Sequence, residues 1–224
     1  MGAMSNSDSK SLSQARFDQF ARGYITSQTH AKGAELDRLV EVAQPGPEWV
    51  MLDVATGGGH LALKCAPPVA RVVATDLTPS MLEAAQAFLA DNAGTNVIVV
   101  RADAEVLPFE AGAFDLVTCR IVPHHFPDCS WFIGESARVL KADGLLLVQD
   151  HVLPADEGMA RYLDAFERLR DPSHNRAFSA TEWVSMFQAA GLEVVHIEQI
   201  VKRHGFLSWA ELQALSLIHI SEPT

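Results

Sequence analysis

The chain has 224 residues, of which 48% are hydrophobic and 20% charged, and its formal net charge is −11. This length fits one α/β domain with short additions, and the composition excludes disordered and collagen-like proteins. No apolar run approaches the ~20 residues of a membrane span, and no basic cluster could neutralise several phosphates. We therefore expect neither a membrane nor a nucleic acid as a partner.

The two ends of the chain have sequences that are not typical of the native domain. Residues 1–4 are typical of a cloning remnant before a native methionine, and no secretory signal follows them. The three cysteines form no CxxC pair, which favours a reducing compartment, so we expect a cytoplasmic protein. We predict a tag remnant and disordered tail over 1–10, an N-terminal helical cap over 11–44, the main domain over 45–215 and a non-native tail over 216–224.

Helical and apolar segments then alternate along the chain. Amphipathic segments predict two helices before the first strand, five apolar runs predict strands buried on both faces of a parallel sheet, and Pro79 to Asn92 predicts a helix with Thr78 as its N-cap. Together they predict an α/β fold: a Rossmann-like, doubly wound, mostly parallel sheet with helices on both faces. The helices lie at 11–23, 32–43, 79–92, 157–169, 180–190 and 206–215, and the strands at 49–55, 71–77, 96–102, 114–121 and 144–152, with a late strand at 192–201.

The strongest motif is the segment LDVATGGGHLAL, in which an apolar strand ends at Asp53 and passes through three glycines into a helix. Gly57 and Gly59 fit the dinucleotide fingerprint GxGxxG/A, and Asp76 lies where such folds bind ribose hydroxyls. A carboxylate at Asp53 would repel a pyrophosphate but attract an ammonium group. The motif therefore favours a nucleoside ligand without phosphates.

Over residues 24 to about 210 the chain resembles the class I S-adenosylmethionine-dependent methyltransferases, in particular the small-molecule enzymes of ubiquinone and menaquinone biosynthesis. The matching segments are LDVATGGGH, VVATDLTPSMLEAA, ADAEVLPF, FDLVTCRIVPHHF and RVLKADGLLLVQD. The resemblance implies that 45–215 is a methyltransferase domain. It also implies S-adenosylmethionine as the cofactor and a small molecule as the methyl acceptor.

The same resemblance implies a cofactor site along the carboxyl ends of the strands. Its residues would hold the methionine end, the ribose, the adenine and a closing segment in turn. They are Asp53, Ala55, Gly57 and Gly59 for the methionine end; Asp76 for the ribose hydroxyls; Leu77, Met81, Asp103 and Ala104 for the adenine; Arg120 for the methionine carboxylate or the acceptor; and Tyr24 and His30 in the closing segment YITSQTH.

Catalysis needs little beyond positioning, because a sulfonium is already an activated methyl donor and the transfer is an in-line displacement. A base matters when the acceptor must lose a proton. His125, and after it His124, are the candidates because they follow the fourth strand directly. Neither the set of His124, His125 and Cys129 nor the pair Asp150 and His151 has a familiar metal-ligand spacing, so no metal is expected.

Two other functions are compatible with parts of the pattern. A short-chain oxidoreductase needs a Tyr with Lys four residues on, but Tyr24 and Tyr162 are followed at that spacing by Gln28 and Phe166, which nearly excludes it. A non-catalytic sensor or partner subunit that binds S-adenosylmethionine remains an alternative. Turnover with a panel of small acceptors distinguishes it from an enzyme.

The C-terminal part departs from the family pattern. Class I methyltransferases usually end with a sixth strand, a connection and an antiparallel seventh strand. Here no segment after 206–215 predicts a seventh strand. We expect that strand to be missing, which would leave an unpaired sheet edge and favour a homodimer.

Overall fold

The structure, a computed structural model, describes residues 5–26, 34–92 and 96–201, with the backbone alone described for 19–26 and 34. Two helices precede the first strand, and helices separate most of the later ones. The elements are α1 (Asn6–Thr26), α2 (Ala34–Ala43), β1 (Val50–Val54), α3 (His60–Cys65), β2 (Arg71–Asp76), α4 (Pro79–Asn92), β3 (Val97–Arg101), β4 (Phe114–Arg120), a 3₁₀ turn (Pro123–His125), α5 (Cys129–Val139), β5 (Leu140–Gln149), β6 (Val152–Leu153), α6 (Glu157–Arg170), β7 (Phe178–Ser179) and α7 (Ala180–Ala189).

Five of these strands form one parallel sheet in the order β3-β2-β1-β4-β5. The chain starts at the centre with β1, moves outward through β2 and β3, and then crosses back to β4 on the other side of β1. This confirms the predicted α/β fold with a parallel sheet. The short strands β6 and β7 pair separately, also in parallel.

Alternate residues of the central strands supply two apolar cores, one on each face of the sheet. Leu52 and Val117 pack with Phe132 and other residues of α5 and α7 on one face. Met51 and Leu116 lie on the opposite face, where residues of α2, α3 and α4 cover them. Successive side chains of a strand point to opposite faces, so strands with helices on both sides are apolar throughout.

The predicted helix 79–92 is confirmed with those bounds, whereas the predicted strand over 192–201 is wrong. That segment has no regular secondary structure, and Val195 and Ile197 are 73% and 63% exposed. A strand needs a hydrogen-bonded neighbour, and within the described residues β5 pairs with β4 alone.

Residues 202–224 lie outside the described part, so the helix over 206–215, the missing seventh strand and the non-native tail stay predictions. Among the helices that are described, none is both long and apolar enough to cross a membrane.

Gly144 in β5 offers a test of packing at the sheet. A Cβ there would lie 2.8 Å from Cδ2 of Leu140, 3.0 Å from the carbonyl oxygen of Lys141 and 3.2 Å from that of Asp115. We expect Gly144→Ala to lower the free energy of unfolding by about 1–2 kcal/mol, because overpacking exceeds the gain from removing a flexible glycine. Urea unfolding measures the change.

The matched control is Gly134→Ala in α5, where no atom lies within 4 Å of the added Cβ. This substitution should raise stability by up to about 1 kcal/mol, since alanine favours a helix over glycine. Equal stability of the Gly144→Ala variant and the unaltered protein would contradict the packing described here.

Candidate active site

The loop between β1 and α3 turns through left-handed backbone at Ala55, Gly57 and Gly59, with φ of 52°, 56° and 82°. A Cβ on Gly57 would lie 3.5 Å from Cε of Met81, whereas one on Gly59 would lie 3.1 Å from the side chain of Leu89. At Gly57 there is room for a Cβ, so its left-handed backbone is the reason for glycine there. Gly59 instead lets α3 pack closely against α4.

Asp53, the last residue but one of β1, is a carboxylate that is only 2% exposed. One oxygen accepts a hydrogen bond from Oγ1 of Thr56 at 2.6 Å, and the other accepts one from Oγ1 of Thr118 at 2.7 Å. Burial raises the pKa of Asp53 to about 6, although both hydroxyl bonds act in the opposite direction. A positively charged ligand beside it would favour the ionised form.

Asp76 ends β2 on the other side of the same turn. Its carboxylate accepts hydrogen bonds from the backbone N–H of Gly57 at 3.1 Å and of Thr78 at 2.9 Å. Burial raises the pKa of Asp76 above its ordinary value. Because each carboxylate oxygen has a second lone pair, Asp76 keeps acceptor capacity for a ligand hydroxyl.

A cavity of about 1460 Å³ runs along the carboxyl ends of the strands, from the glycine turn to the 3₁₀ turn. Most of the predicted site residues line it together. They are Asp53, Ala55, Gly57, Asp76, Leu77, Met81, Asp103, Ala104, Arg120, His124 and His125. Gly59 is not among the lining residues, Tyr24 falls in α1 where the backbone alone is described, and His30 lies outside the described residues.

Helix α1 covers the adenine end that the sequence predicts. Nζ of Lys10 lies 2.7 Å from Oδ2 of Asp103 and 2.6 Å from Oε2 of Glu105. Burial opposes the charge on Lys10, but its hydrogen bonds to both carboxylates outweigh that effect and raise its pKa. Asp103 thus already has a cationic partner.

Two more residues of α1 reach the cavity. Nε2 of Gln14 donates to the carbonyl oxygen of Leu77 at 3.1 Å, and the ring of Phe17 meets that of His125 edge-on at 5.1 Å. The sequence analysis missed these residues together with Lys10. Their spacing of four and then three residues along one helix face was the available signal.

Arg120 lies at the end of β4 and lines the cavity between the glycine turn and the 3₁₀ turn. Its Nε donates to Oε1 of Gln149 at 2.9 Å. Burial lowers its pKa, while the carboxylates of Glu35 and Asp53 act to raise it. The next residue, Ile121, has a φ of 54°, which is strained for a β-branched side chain.

His125 is buried in the 3₁₀ turn and faces a segment that is distant in sequence. Its Nδ1 lies 3.0 Å from the carbonyl oxygen of Ser173, so Nδ1 carries the proton and donates. Burial, and then the neighbouring His124, lower the pKa of His125 to about 3. The ring is therefore uncharged at neutral pH, and Nε2 is its acceptor nitrogen, which has no hydrogen-bond partner among the described residues.

His124 pairs with the residue that follows β5. Its Nδ1 lies 2.6 Å from Oδ1 of Asp150, and its backbone N–H donates to Oδ2 at 2.8 Å. Burial lowers the pKa of His124 well below its usual value, and His151 and His174 lower it further. The two predicted catalytic candidates thus have different partners.

Comparison with known proteins identifies relatives that cover most of the chain. The sequence profile of a family described as a methyltransferase domain matches residues 52–148. YcgJ, an uncharacterized methyltransferase of Bacillus subtilis, is 37% identical over 183 residues, which are 82% of this chain and 72% of that protein. A demethylmenaquinone methyltransferase of Thermus thermophilus is 40% identical over 119 residues, which are 52% of this chain and 54% of that protein.

A solved structure of a candidate methyltransferase from Bacillus halodurans superimposes with a TM-score of 0.81 at 37% identity. The match covers 86% of this chain and 87% of that one. The similarity therefore extends beyond the glycine loop to the arrangement of the whole sheet.

The hydrogen bond from Thr118 to Asp53 yields a stability test. Thr118→Val should lower the free energy of unfolding by about 1.5–3 kcal/mol at about pH 8, because it leaves a buried carboxylate oxygen unpaired. Toward about pH 5 the loss should shrink, since the raised pKa leaves Asp53 protonated there. Chemical unfolding at both pH values measures it.

Thr75→Val is the matched control. Thr75 is as buried as Thr118, at 1% exposed, but its hydroxyl donates to the backbone carbonyl of Asp53 at 3.1 Å. Its loss should be about 0.5–1.5 kcal/mol and independent of pH. Equal losses for the two variants at both pH values would show that the carboxylate does not depend on Thr118.

Proposed function

The chain belongs to the class I S-adenosylmethionine-dependent methyltransferases, and we propose that it transfers a methyl group to a small-molecule acceptor at the histidine end of its cavity. One observation carries this proposal: a single cavity joins the glycine turn and its two carboxylates to His124 and His125. When bound, S-adenosylmethionine supplies a methyl group that its sulfonium charge already activates.

The glycine turn supports the proposed cofactor placement. Asp53 would face the ammonium group of the methionine end, and its negative charge above about pH 6 suits that partner. Asp76 would accept hydrogen bonds from the ribose hydroxyls with its remaining lone pairs. Ala55 and Gly57 would keep the backbone close to the methionine end.

The adenine would lie between Leu77 and Met81, beside Asp103 and Ala104. Lys10 already pairs with Asp103, so the adenine amino group would share that carboxylate with α1. We propose that Tyr24 and His30 belong to the segment that completes the cover.

The acceptor side is the part of the cavity beyond Arg120. His125 is uncharged and its Nε2 is an acceptor nitrogen, so it would accept a proton or a hydrogen bond from the acceptor. Its low basicity favours orientation over full proton removal. Arg120 would face the methionine carboxylate or the acceptor.

The cover formed by α1 supports a small acceptor rather than a macromolecule. Lys10, Gln14 and Phe17 all line the cavity, so this helix covers part of it. The net charge of −11 disfavours a polyanion further. A neutral or cationic small molecule fits both features.

Asp76→Ala should weaken the binding of S-adenosylhomocysteine at least about 10-fold, because a buried charge-assisted hydrogen bond is lost. Asp76→Asn keeps the shape and should weaken it less. Titration calorimetry measures the affinities. Asp91→Ala, which removes an exposed carboxylate near the end of α4, is the control and should bind as the unaltered protein does.

Unchanged affinity in the Asp76→Ala variant would refute the proposed ribose site. If the protein bound S-adenosylhomocysteine but never produced it from S-adenosylmethionine with any acceptor in a broad panel, the sensor alternative would replace the enzymatic one.

His125→Ala should lower kcat with the acceptor found by that screen by about 10- to 100-fold, while the affinity for S-adenosylhomocysteine stays unchanged. Asp91→Ala is the control, since Asp91 is exposed near the end of α4 and does not line the cavity. Full turnover in the His125→Ala variant would refute a catalytic role for His125. Catalysis would then rest on how the rest of the cavity positions the acceptor.

A further inference from the structure

Four imidazole rings from three segments of the chain meet near the acceptor end of the cavity. The ring centroid of His124 lies 4.2 Å from that of His125, 4.7 Å from that of His151 and 5.3 Å from that of His174. These residues come from the 3₁₀ turn, from the residues just after β5, and from the loop after α6. Such a concentration of nitrogen donors goes beyond what one proton transfer requires.

Three side chains of this cluster are placed to share one ion. In the described part of the chain, His124, Asp150 and His151 form the one group of three metal-ligating side chains whose ligand atoms all lie within 4.8 Å of one another. All three line the cavity. His124 is buried and His151 is exposed, so the group has one side in the protein and one open to the cavity. His174 is not part of this group, because its Nε2 already contacts Oδ1 of Asp164 at 2.8 Å.

The charge balance of the cluster distinguishes Asp150 from the carboxylates around it. Asp171 has Nε of Arg16 at 4.0 Å, and Asp164 has the guanidinium of Arg168 at 2.6 Å. Asp150 has a side chain only 1% exposed, and it interacts with the ring and backbone N–H of His124 and with the backbone N–H of His151. Over the described residues no lysine or arginine forms an ion pair with it. A buried carboxylate without a cationic partner is costly, and a bound cation would offset that cost.

We propose that His124, Asp150 and His151 bind one divalent transition-metal ion. Two imidazole nitrogens and one carboxylate oxygen are donors that suit Zn²⁺ and its neighbours in the first transition row. The ion would replace the proton between Nδ1 of His124 and Oδ1 of Asp150, and that proton would leave to solvent. Those atoms are 2.6 Å apart and would separate to the roughly 3.3 Å that a tetrahedral ion requires.

The site has a chemical consequence that rests on the proposed function. The remaining coordination positions would face the cavity, where the acceptor is placed. An ion there would bind an acceptor hydroxyl and lower its pKa, so that the hydroxyl would release its proton to solvent. Its oxygen would then form the bond to the methyl carbon as the bond from that carbon to the sulfonium sulfur breaks, and S-adenosylhomocysteine would leave. The acceptor class is then a molecule with an ionisable hydroxyl, and His124 is a metal ligand rather than the base.

Metal binding can be measured without turnover. The full chain, stripped with a chelator and returned to metal-free buffer, is titrated with Zn²⁺ by calorimetry and with Co²⁺ by visible absorption. We expect one ion per chain with micromolar or tighter affinity, and Co²⁺ bands of a site with nitrogen and oxygen ligands. His151→Ala should weaken binding at least about 10-fold and, because His151 is exposed, should leave the fold intact. Asp91→Ala, which removes an exposed carboxylate that does not line the cavity, is the control and should bind as the unaltered protein does.

Asp150→Asn provides a second test, with thermal unfolding to check that the variant is folded. The proposal is overturned if no saturable Zn²⁺ or Co²⁺ binding occurs, or if the folded His151→Ala and Asp150→Asn variants bind the ion unchanged. S-adenosylhomocysteine is titrated into the same metal-free samples. Cofactor binding without ion binding refutes the metal site alone, whereas ion binding without cofactor binding refutes the proposed function alone.

Discussion

The reversal of strand order at β1 is the constraint on which the site depends. Because β2 lies on one side of β1 and β4 on the other, the connections leave toward opposite faces and a crevice opens at the carboxyl ends of the strands. The polar residues of the cavity come from those ends. Asp53 is the last residue but one of β1, Asp76 ends β2, Arg120 ends β4 and Asp150 follows β5. The apolar cores on both faces of the sheet fix the positions of these ends.

Burial gives these polar groups their chemistry. Asp53 loses contact with water on folding and gains hydrogen bonds from two hydroxyl groups. Its pKa is then about 6, so the neutral and charged forms differ little in free energy near that pH. A cationic ligand would shift that balance toward the carboxylate. Ala55 and Ile121 hold left-handed backbone at the same crevice, at a cost of about 1–3 kcal/mol each. Strain and desolvation are therefore concentrated where the ligand is proposed to bind, and the two apolar cores supply the stability that permits them.

The sequence predicts what depends on local pattern and fails where a distant partner decides. Pro79–Asn92 forms the predicted helix because its apolar spacing and first-turn proline act locally. Residues 192–201 alternate like a strand but do not form one, because a strand also needs a neighbour. The cofactor residues fall on strand ends, which a pattern can locate, and most of them line one cavity. The histidine cluster could not be foreseen as a unit, since His124, His151 and His174 meet only after β4, β5 and α6 have packed.

A crystal structure of the protein with S-adenosylhomocysteine tests the central claim most directly, namely that the crevice at the strand reversal holds the cofactor. We predict ribose hydroxyls within hydrogen-bond distance of Asp76, the methionine ammonium beside Asp53, and the sulfur facing the cavity that contains His125. S-adenosylhomocysteine bound outside this crevice, or bound in it with neither carboxylate in contact, would contradict the account.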